Sequence, residues 1–320
     1  MIDLKNNNFS FNQEIDKYLT NIVKNKSYAN GYIFYGAEGL GKKETSLRFI
    51  KEIFTQSSNE GSIDKSITNK NHPDLLIIEP SPLLEAKKSK ISALEKTEKS
   101  GSNIIKIDQI RNIKTFLGQK SISSEKKIVL IVDAHLLNEA ASNCLLKTLE
   151  EPNNGIFILL TPTLNSLLDT ITSRCQLVRF RSLTGKQISS ILKNYLDSSK
   201  LKIVNKFQFQ DLVNSANGSP GQLLKNIEIW NELSEEITSK LDSPIKNSIE
   251  ILEFSKLISE QLDINQQVFL ANLIQIIWWR QKKNIALVKI IENLKNYLRK
   301  NVQPRLGWEI TLLKISMEHI

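Results

Sequence analysis

A glycine-rich run, Gly36-Ala37-Glu38-Gly39-Leu40-Gly41-Lys42-Lys43, carries the first chemistry this sequence offers. Gly36, Gly39 and Gly41 let backbone N–H groups turn inward toward a phosphate, and a following helix would add the positive end of its dipole. Lys42 stands where its ammonium would reach the phosphates of a nucleotide. The last position breaks the pattern. A phosphate loop that works with Mg²⁺ needs a Ser or Thr hydroxyl there, and this chain has Lys43, whose ammonium cannot ligate a cation and repels one. Thr45 and Ser46 come too late on the helix to replace it. ATP binding by the loop stays open, against the alternative of a glycine turn kept for its geometry. Metal-assisted hydrolysis is not expected.

Other residues invite chemistry singly. Asp133 ends the apolar run Ile128–Val132, and Thr161 ends the run Ile156–Leu160. His135 suggests a general base, but no nucleophile accompanies it, so a capping or solvated histidine is expected. His72 stands alone where Zn²⁺ would want three or four N/S ligands, so no metal site is expected. Arg174, in Ser173-Arg174-Cys175, suits core packing poorly, and a surface ion pair is the plain alternative to a functional role. The two cysteines form no CxxC pair. Cys144 reads as a small buried thiol on a helix. Cys175 would be reactive if Arg174 lowered its pKa, although packing is its expected role.

The elements that would position these groups can be read from periodicity. The runs Ile128–Val132 and Ile156–Leu160 have no alternation, which suits strands buried on both faces of a parallel sheet. Tyr32–Tyr35 and Leu177–Phe180 read as further short strands, and His72-Pro73-Asp74-Leu75 as a structural turn into Leu76–Glu79. Helices are expected over Asn12–Asn25, from the glycine loop through Ile50, over Ile104–Phe116, and between Glu139 and the stop at Pro152. Polar residues at the strand tips mark the carboxyl end of a nucleotide-binding α/β sheet. Residues 51–71 are polar and irregular, and the Lys-rich stretch within 80–102 reads as an exposed insertion, with contact to a phosphate backbone as the sharper alternative.

Beyond residue 183 the pattern turns helical. Lys186–Leu196 and Phe209–Ala216 are amphipathic, and Ser219 and Pro220 suit the cap and first turn of another helix. Four more helices are expected, over Ile245–Ile258, Asn265–Lys282, Ile285–Val302 and Trp308–Ile320. The Trp278-Trp279 pair could serve a DNA-stacking platform, but helical core or a subunit interface is the expected role. The fold class is thus an α/β domain with a parallel sheet over residues 1–182, a small helical domain over 183–240 and an all-α domain over 241–320.

Composition narrows the setting. With 43 Lys and Arg against 34 Asp and Glu, the formal charge of +9 permits an anionic partner, although the lysines are scattered. No apolar run approaches the roughly 20 residues a membrane span requires, and the N-terminus has no signal-peptide core. A cytoplasmic location is expected, with no membrane partner.

Two motifs in order, LLKTLEEP and then SRC, resemble the AAA+ clamp-loader subunits of bacterial DNA polymerase III, and HPDL and IDQIR add to the match. The resemblance is strongest over residues 30–225. It implies an AAA+ P-loop-like domain, a helical lid and a helical collar that joins five subunits in a ring. In that family the SRC arginine reaches across an interface to ATP held by a neighbour, and Arg174 is the residue carried over. Gly36, Gly39, Gly41, Lys42 and Asp133 fall in the nucleotide machinery, and Thr161 at the sensor-1 position. Several features depart from the family pattern. Lys43 replaces the Mg²⁺ ligand. The Walker B strand should end in Asp-Glu, but the preferred register gives Val132 and Asp133, and a shift by one gives Asp133 and Ala134. Gln222 stands where active lids place a sensor-2 arginine, and the four-cysteine zinc module of many relatives has no counterpart. The resemblance therefore implies a non-hydrolysing member that offers Arg174 in trans and requires no cofactor of its own. Its partners would be delta and tau/gamma subunits, with the sliding clamp and primed DNA reached through the complex. The alternatives are an ATP-binding or hydrolysing subunit of the tau/gamma type with a divergent Mg²⁺ site, and a stand-alone DNA-binding module.

Overall fold

The computed structural model describes residues 12–56, 66–67, 71–82, 103–152, 155–188, 206–300 and 303–317. The chain divides into two compact units, Met1–Ser182 and Leu183–Ile320.

The first unit is built on β1 (Gly31–Tyr35), β2 (Leu75–Ile78), a short antiparallel pair β3 (Ser81–Pro82) and β4 (Asn103–Ile104), then β5 (Lys127–Ile131), β6 (Gly155–Thr161) and β7 (Gln176–Arg179). Five of these strands form one parallel sheet in the order β2-β5-β6-β1-β7. Its helices are α1 (Gln13–Lys24), α2 (Lys42–Thr55), α3 (Ile107–Gly118), α4 (Glu139–Glu150) and the single turn α5 (Asp169–Thr172).

The absence of alternation in the strands has a direct cause. One set of side chains, Tyr32, Phe34, Ile128, Leu130, Ile156 and Ile158, packs with α1 and α2. The intervening set, Ile33, Val129, Ile131, Phe157 and Leu159, packs with α3, α4 and α5. A sheet covered on both faces leaves no solvated side to mark with polar residues.

The turn before β2 is more tightly built than its sequence suggested. His72 is buried and stacks on Phe54, with ring centroids 4.1 Å apart and 9° between planes. Asp74 is fully buried, and its carboxylate accepts hydrogen bonds from the backbone N–H groups of Ile122, Ser123 and Ser124 at 2.9, 2.7 and 3.0 Å. Burial pushes this carboxyl up, but those donors together with the Ser124 hydroxyl hold it below the ordinary carboxylate range. Asp74 thus anchors the loop that delivers the chain into β5.

The second unit contains α6 (Lys206–Ser215), α7 (Pro220–Glu232), the short α8 (Glu235–Thr238), α9 (Ser248–Gln261), α10 (Ile264–Lys282), α11 (Ile285–Arg299) and α12 (Pro304–Met317). Ser219 caps α7, its hydroxyl accepting from the Gln222 N–H at 3.1 Å, with Pro220 in the first turn. One buried apolar cluster runs from Ile188 to Ile315 through residues on both sides of position 240. Asp211 of α6 and Arg280 of α10 add an ion pair of 2.8 Å, with Asp211 buried. Trp278 is wholly buried, its indole N–H on the Leu241 carbonyl at 2.8 Å, whereas Trp279 is 40% exposed. The pair therefore divides between core and surface, and Trp278 has no face to offer a base.

The Lys-rich insertion at residues 83–102 and the expected helix beyond residue 188 lie outside the described residues. Among the described residues no helix is long and apolar enough to cross a membrane, and no His/Cys/Asp/Glu group could hold a metal ion.

Candidate functional site

The glycine loop joins the carboxyl end of β1 to the N-terminus of α2, the strand–loop–helix context a phosphate cradle requires. Gly36, Gly39 and Gly41 have φ of 145°, 72° and 80°, conformations that glycine reaches without strain. At Gly36 a Cβ would also stand 2.3 Å from the Phe180 carbonyl oxygen, so no side chain fits there.

Both lysines of the loop are engaged within the chain. The Lys42 ammonium donates to the carbonyl oxygens of Gly36 and of Ala37, the latter at 2.7 Å. Burial pulls its pKa below the ordinary lysine value, while the negative charges of Glu38, Asp133 and Glu44 oppose that pull. Lys43 pairs with Glu79 at 2.9 Å, just past the end of β2. The Glu79 carbonyl is in turn fixed by the Gln109 side chain at 3.0 Å. At the position where a Mg²⁺-dependent loop presents a neutral hydroxyl, this chain places a cation matched to its own carboxylate.

The neighbouring strand tips complete the picture. Asp133 is exposed with φ of 53°, leading into a 3-10 turn over Ala134–Leu136. Ala134 is wholly buried, so the alternative register would put a core methyl where a catalytic glutamate belongs. The expected strand Ile128–Val132 ends at Ile131, although the Val132 N–H still reaches the Ile78 carbonyl at 2.9 Å. His135 has a buried Nδ1 with no hydrogen-bond partner. The Thr161 hydroxyl is buried and lies 2.8 Å from the Thr163 carbonyl and 2.9 Å from the Ser166 Oγ, so it closes the turn after β6.

Gly36, Gly39, Gly41, Lys42, Asp133 and Thr161 thus gather at the carboxyl end of the sheet, with the Gly36 N–H 3.3 Å from the Thr161 carbonyl. Arg174 does not join them. It precedes β7, whose first residue pairs with Tyr32 and whose last pairs with Tyr35, so it lies at the amino end of the parallel strands. At about 3.3 Å of rise per residue, the length of β7 alone separates it from the loop level by on the order of 10 Å. Its guanidinium is turned onto Glu150 at 2.8 Å and the Thr170 carbonyl at 3.0 Å. The ion pair that was the plain alternative for this arginine is present, between side chains 40% and 51% exposed.

Cys175 packs under Gly31, where an added Cβ would meet its sulfur at 2.6 Å. Burial pushes its thiol up to about 11, opposite to the activation by Arg174 weighed as an alternative. Cys144 is half-buried rather than buried. In the second unit Gln222 hydrogen-bonds Asn226 at 2.9 Å, a neutral amide where an active lid would carry a charge.

Residues 11–184 match a family model described as DNA polymerase III, delta subunit, and residues 186–315 one described as cyanobacterial DNA polymerase III delta prime, C-terminal domain. The chain belongs to the delta-prime family of DNA polymerase III. It is 33% identical over 183 residues to the delta' subunit of Bacillus subtilis, covering 55% of this chain and 49% of the relative. It is 27% identical over 295 residues to the tau subunit of the same organism, covering 90% of this chain and 48% of that one. The matches span about half the length of these curated relatives. A crystal structure of a DNA polymerase III gamma subunit-related protein from Thermotoga maritima superposes with a TM-score of 0.51 at 19% identity, over 94% of this chain and 98% of that one. That likeness shows a shared fold.

Two residues of this delta-prime family member were not singled out from sequence. Glu79 could have been found as an acid at a strand tip, and Glu150 as the first acid of the EEP that ends α4. Neither spacing indicates which lysine or arginine each one meets.

Proposed function

We propose that this chain is a clamp-loader subunit of the delta-prime type that does not hydrolyse ATP and lends Arg174 to ATP held by a neighbouring subunit. The observation that carries this reading is the Lys43–Glu79 ion pair, set in a loop whose glycine geometry is otherwise complete. A cation fixed at that point opposes Mg²⁺, and phosphoryl transfer depends on metal and charge placement almost entirely. The Walker B tip supplies one acid in place of two, and the lid supplies an amide in place of an arginine.

Arg174 fits a role in trans because it stands at the opposite end of the sheet from the chain's own loop. Its pairing with Glu150 is exposed, and such pairs contribute about 0–1 kcal/mol. A guanidinium held that weakly can exchange its carboxylate for the phosphates of a partner, which form stronger bidentate contacts. In this reading the partners are delta and tau/gamma subunits, and the complex loads a sliding clamp on primed DNA. The test is reconstitution with those subunits. Wild-type chain restores ATP turnover, and Arg174→Ala assembles without restoring it. Normal turnover with the variant rejects the role.

A second reading, an ATP-binding subunit with a divergent Mg²⁺ site, is favoured by the φ values of the three glycines. Mg²⁺-dependent phosphate release by the purified chain, abolished by Lys42→Ala, would establish it instead.

A further inference from the structure

Beside the start of the glycine loop lies a cavity of about 620 Å³ that neither reading uses. Its walls come from Tyr35 at the end of β1, Gly36 and Ala37 that open the glycine loop, Arg179 at the end of β7, and the segments that follow β6 and β7. Strand register places Thr161, Tyr35 and Arg179 in one row, so all three side chains share a face of the sheet. Tyr35 and Leu164 pack against the core on the α3, α4 and α5 side. Lys42 opens α2, which packs on the other face, and its ammonium is taken by the loop carbonyls. The cavity therefore shares Gly36 and Ala37 with the loop but takes its charged groups from β7 and the segment after it.

The polar groups around it are of one kind. The side chains of Tyr35, Asn165, Arg179 and Arg181 border the cavity, and none has an ion pair or hydrogen bond among the described residues. Among the described residues no Asp or Glu lines it. Two guanidinium forks, a phenol and a carboxamide, all able to donate, converge with no carboxylate to neutralise them. That donor set matches an oxyanion, and phosphate is the one the planar guanidinium fork grips in two-point fashion. The volume falls in the usual range for small-molecule sites, about 300–1,000 Å³, and the Tyr35 ring and Leu164 offer an apolar wall beside the arginines.

We propose that this cavity binds a phosphate-bearing ligand, with Arg179 and Arg181 holding the phosphoryl oxygens and Tyr35 and Leu164 receiving its apolar part. The phosphate comes from a free nucleotide or from the end of a nucleic-acid strand. Calorimetric titration of the full chain with pyrophosphate, ADP and a 5′-phosphorylated oligothymidylate tests this. Saturable binding of at least one probe is expected. The paired substitution Arg179→Ala/Arg181→Ala should weaken it on the order of 10- to 100-fold, as for charge-assisted hydrogen bonds lost. Arg111→Ala, which removes one such charge from an exposed ion pair elsewhere, should leave affinity within about twofold. Both arginines are exposed, so the paired variant keeps the fold, which circular dichroism verifies. Tighter binding of ADP than of pyrophosphate assigns the apolar wall to a nucleoside. Preference for the oligonucleotide with a salt-dependent constant assigns the site to a strand end. No binding at millimolar probe overturns the proposal. So does binding that Lys42→Ala abolishes and the paired arginine variant leaves intact, because the ligand then sits in the loop.

Discussion

Replacing Arg174 with alanine separates two contributions that the proposed role makes very unequal. Within the chain the side chain makes one exposed ion pair and one bond to a carbonyl. An exposed pair is worth about 0–1 kcal/mol, and for a unit of this size such a loss moves the melting temperature by no more than about 2–4 °C. Across an interface, an arginine that meets transition-state charge is worth on the order of 10³–10⁵ in rate, or roughly 4–7 kcal/mol at 1.36 kcal/mol per tenfold. The same substitution should therefore leave melting and assembly almost unchanged while removing turnover at the adjoining ATP site. The assay is thermal melting of the isolated chain, size-exclusion of the reconstituted complex, and single-turnover ATP hydrolysis. Single turnover reads the chemical step apart from binding and product release. Arg174→Lys should fall between the two, since lysine keeps the charge and loses the fork. Glu150→Gln should assemble and turn over normally, because it only releases the guanidinium. The reasoning fails if Arg174→Ala melts many degrees lower, or if every site hydrolyses at the wild-type rate.

Three further outcomes follow from the same geometry. Lys43→Thr restores the missing hydroxyl but leaves Val132 and Asp133 at the Walker B tip, so the purified chain should still release no phosphate from Mg·ATP; steady release would show that the acid pair is dispensable. Asp74→Asn should destabilise the chain by about 1–3 kcal/mol in urea unfolding, because three backbone donors lose their anionic acceptor. Stability should also fall on acidification in two stages. Burial holds the pKa of His72 below its ordinary value, so the unfolded chain alone takes up that proton from about pH 6.5 downward. Asp74, also held low, loses its contribution only further down, as pH falls below the unfolded carboxylate value of about 3.9 and through the folded one. A urea midpoint independent of pH across both windows would contradict these assignments.

How far the sequence carried this reading depended on what kind of signal each feature leaves. Parallel strands were visible because burial on both faces removes polar alternation, and Ile156–Leu160 shows it along its whole length. The glycine loop was visible because glycine takes positive φ values such as those of Gly39 and Gly41 with the least strain. The helix after Ser219 was visible because a hydroxyl and a proline at adjacent positions serve its first turn. Pairings across the fold left no such trace. Lys43 meets Glu79 across 36 positions of chain and Arg174 meets Glu150 across 24, and a surface carboxylate has no local pattern that names its partner. Asp74 read as part of a turn because its three donors lie 48 to 50 residues away.

Those long-range pairs also explain why the two defining basic positions can be judged differently. Lys43 belongs to the loop itself and pairs with the Glu79 carboxylate, while the Glu79 backbone carbonyl accepts from the Gln109 side chain, so its charge stays beside the loop. Arg174 is exposed and is held, among the described residues, by the Glu150 carboxylate at a helix end and by one carbonyl. The two pairs are about equally exposed, so position separates them: a cation beside its own phosphate cradle opposes a metal there, and a cation at the far end of the sheet is clear of that loop. On the proposed reading, the same chain is inert toward ATP in its own loop and decides the rate at which a neighbour's ATP is cleaved.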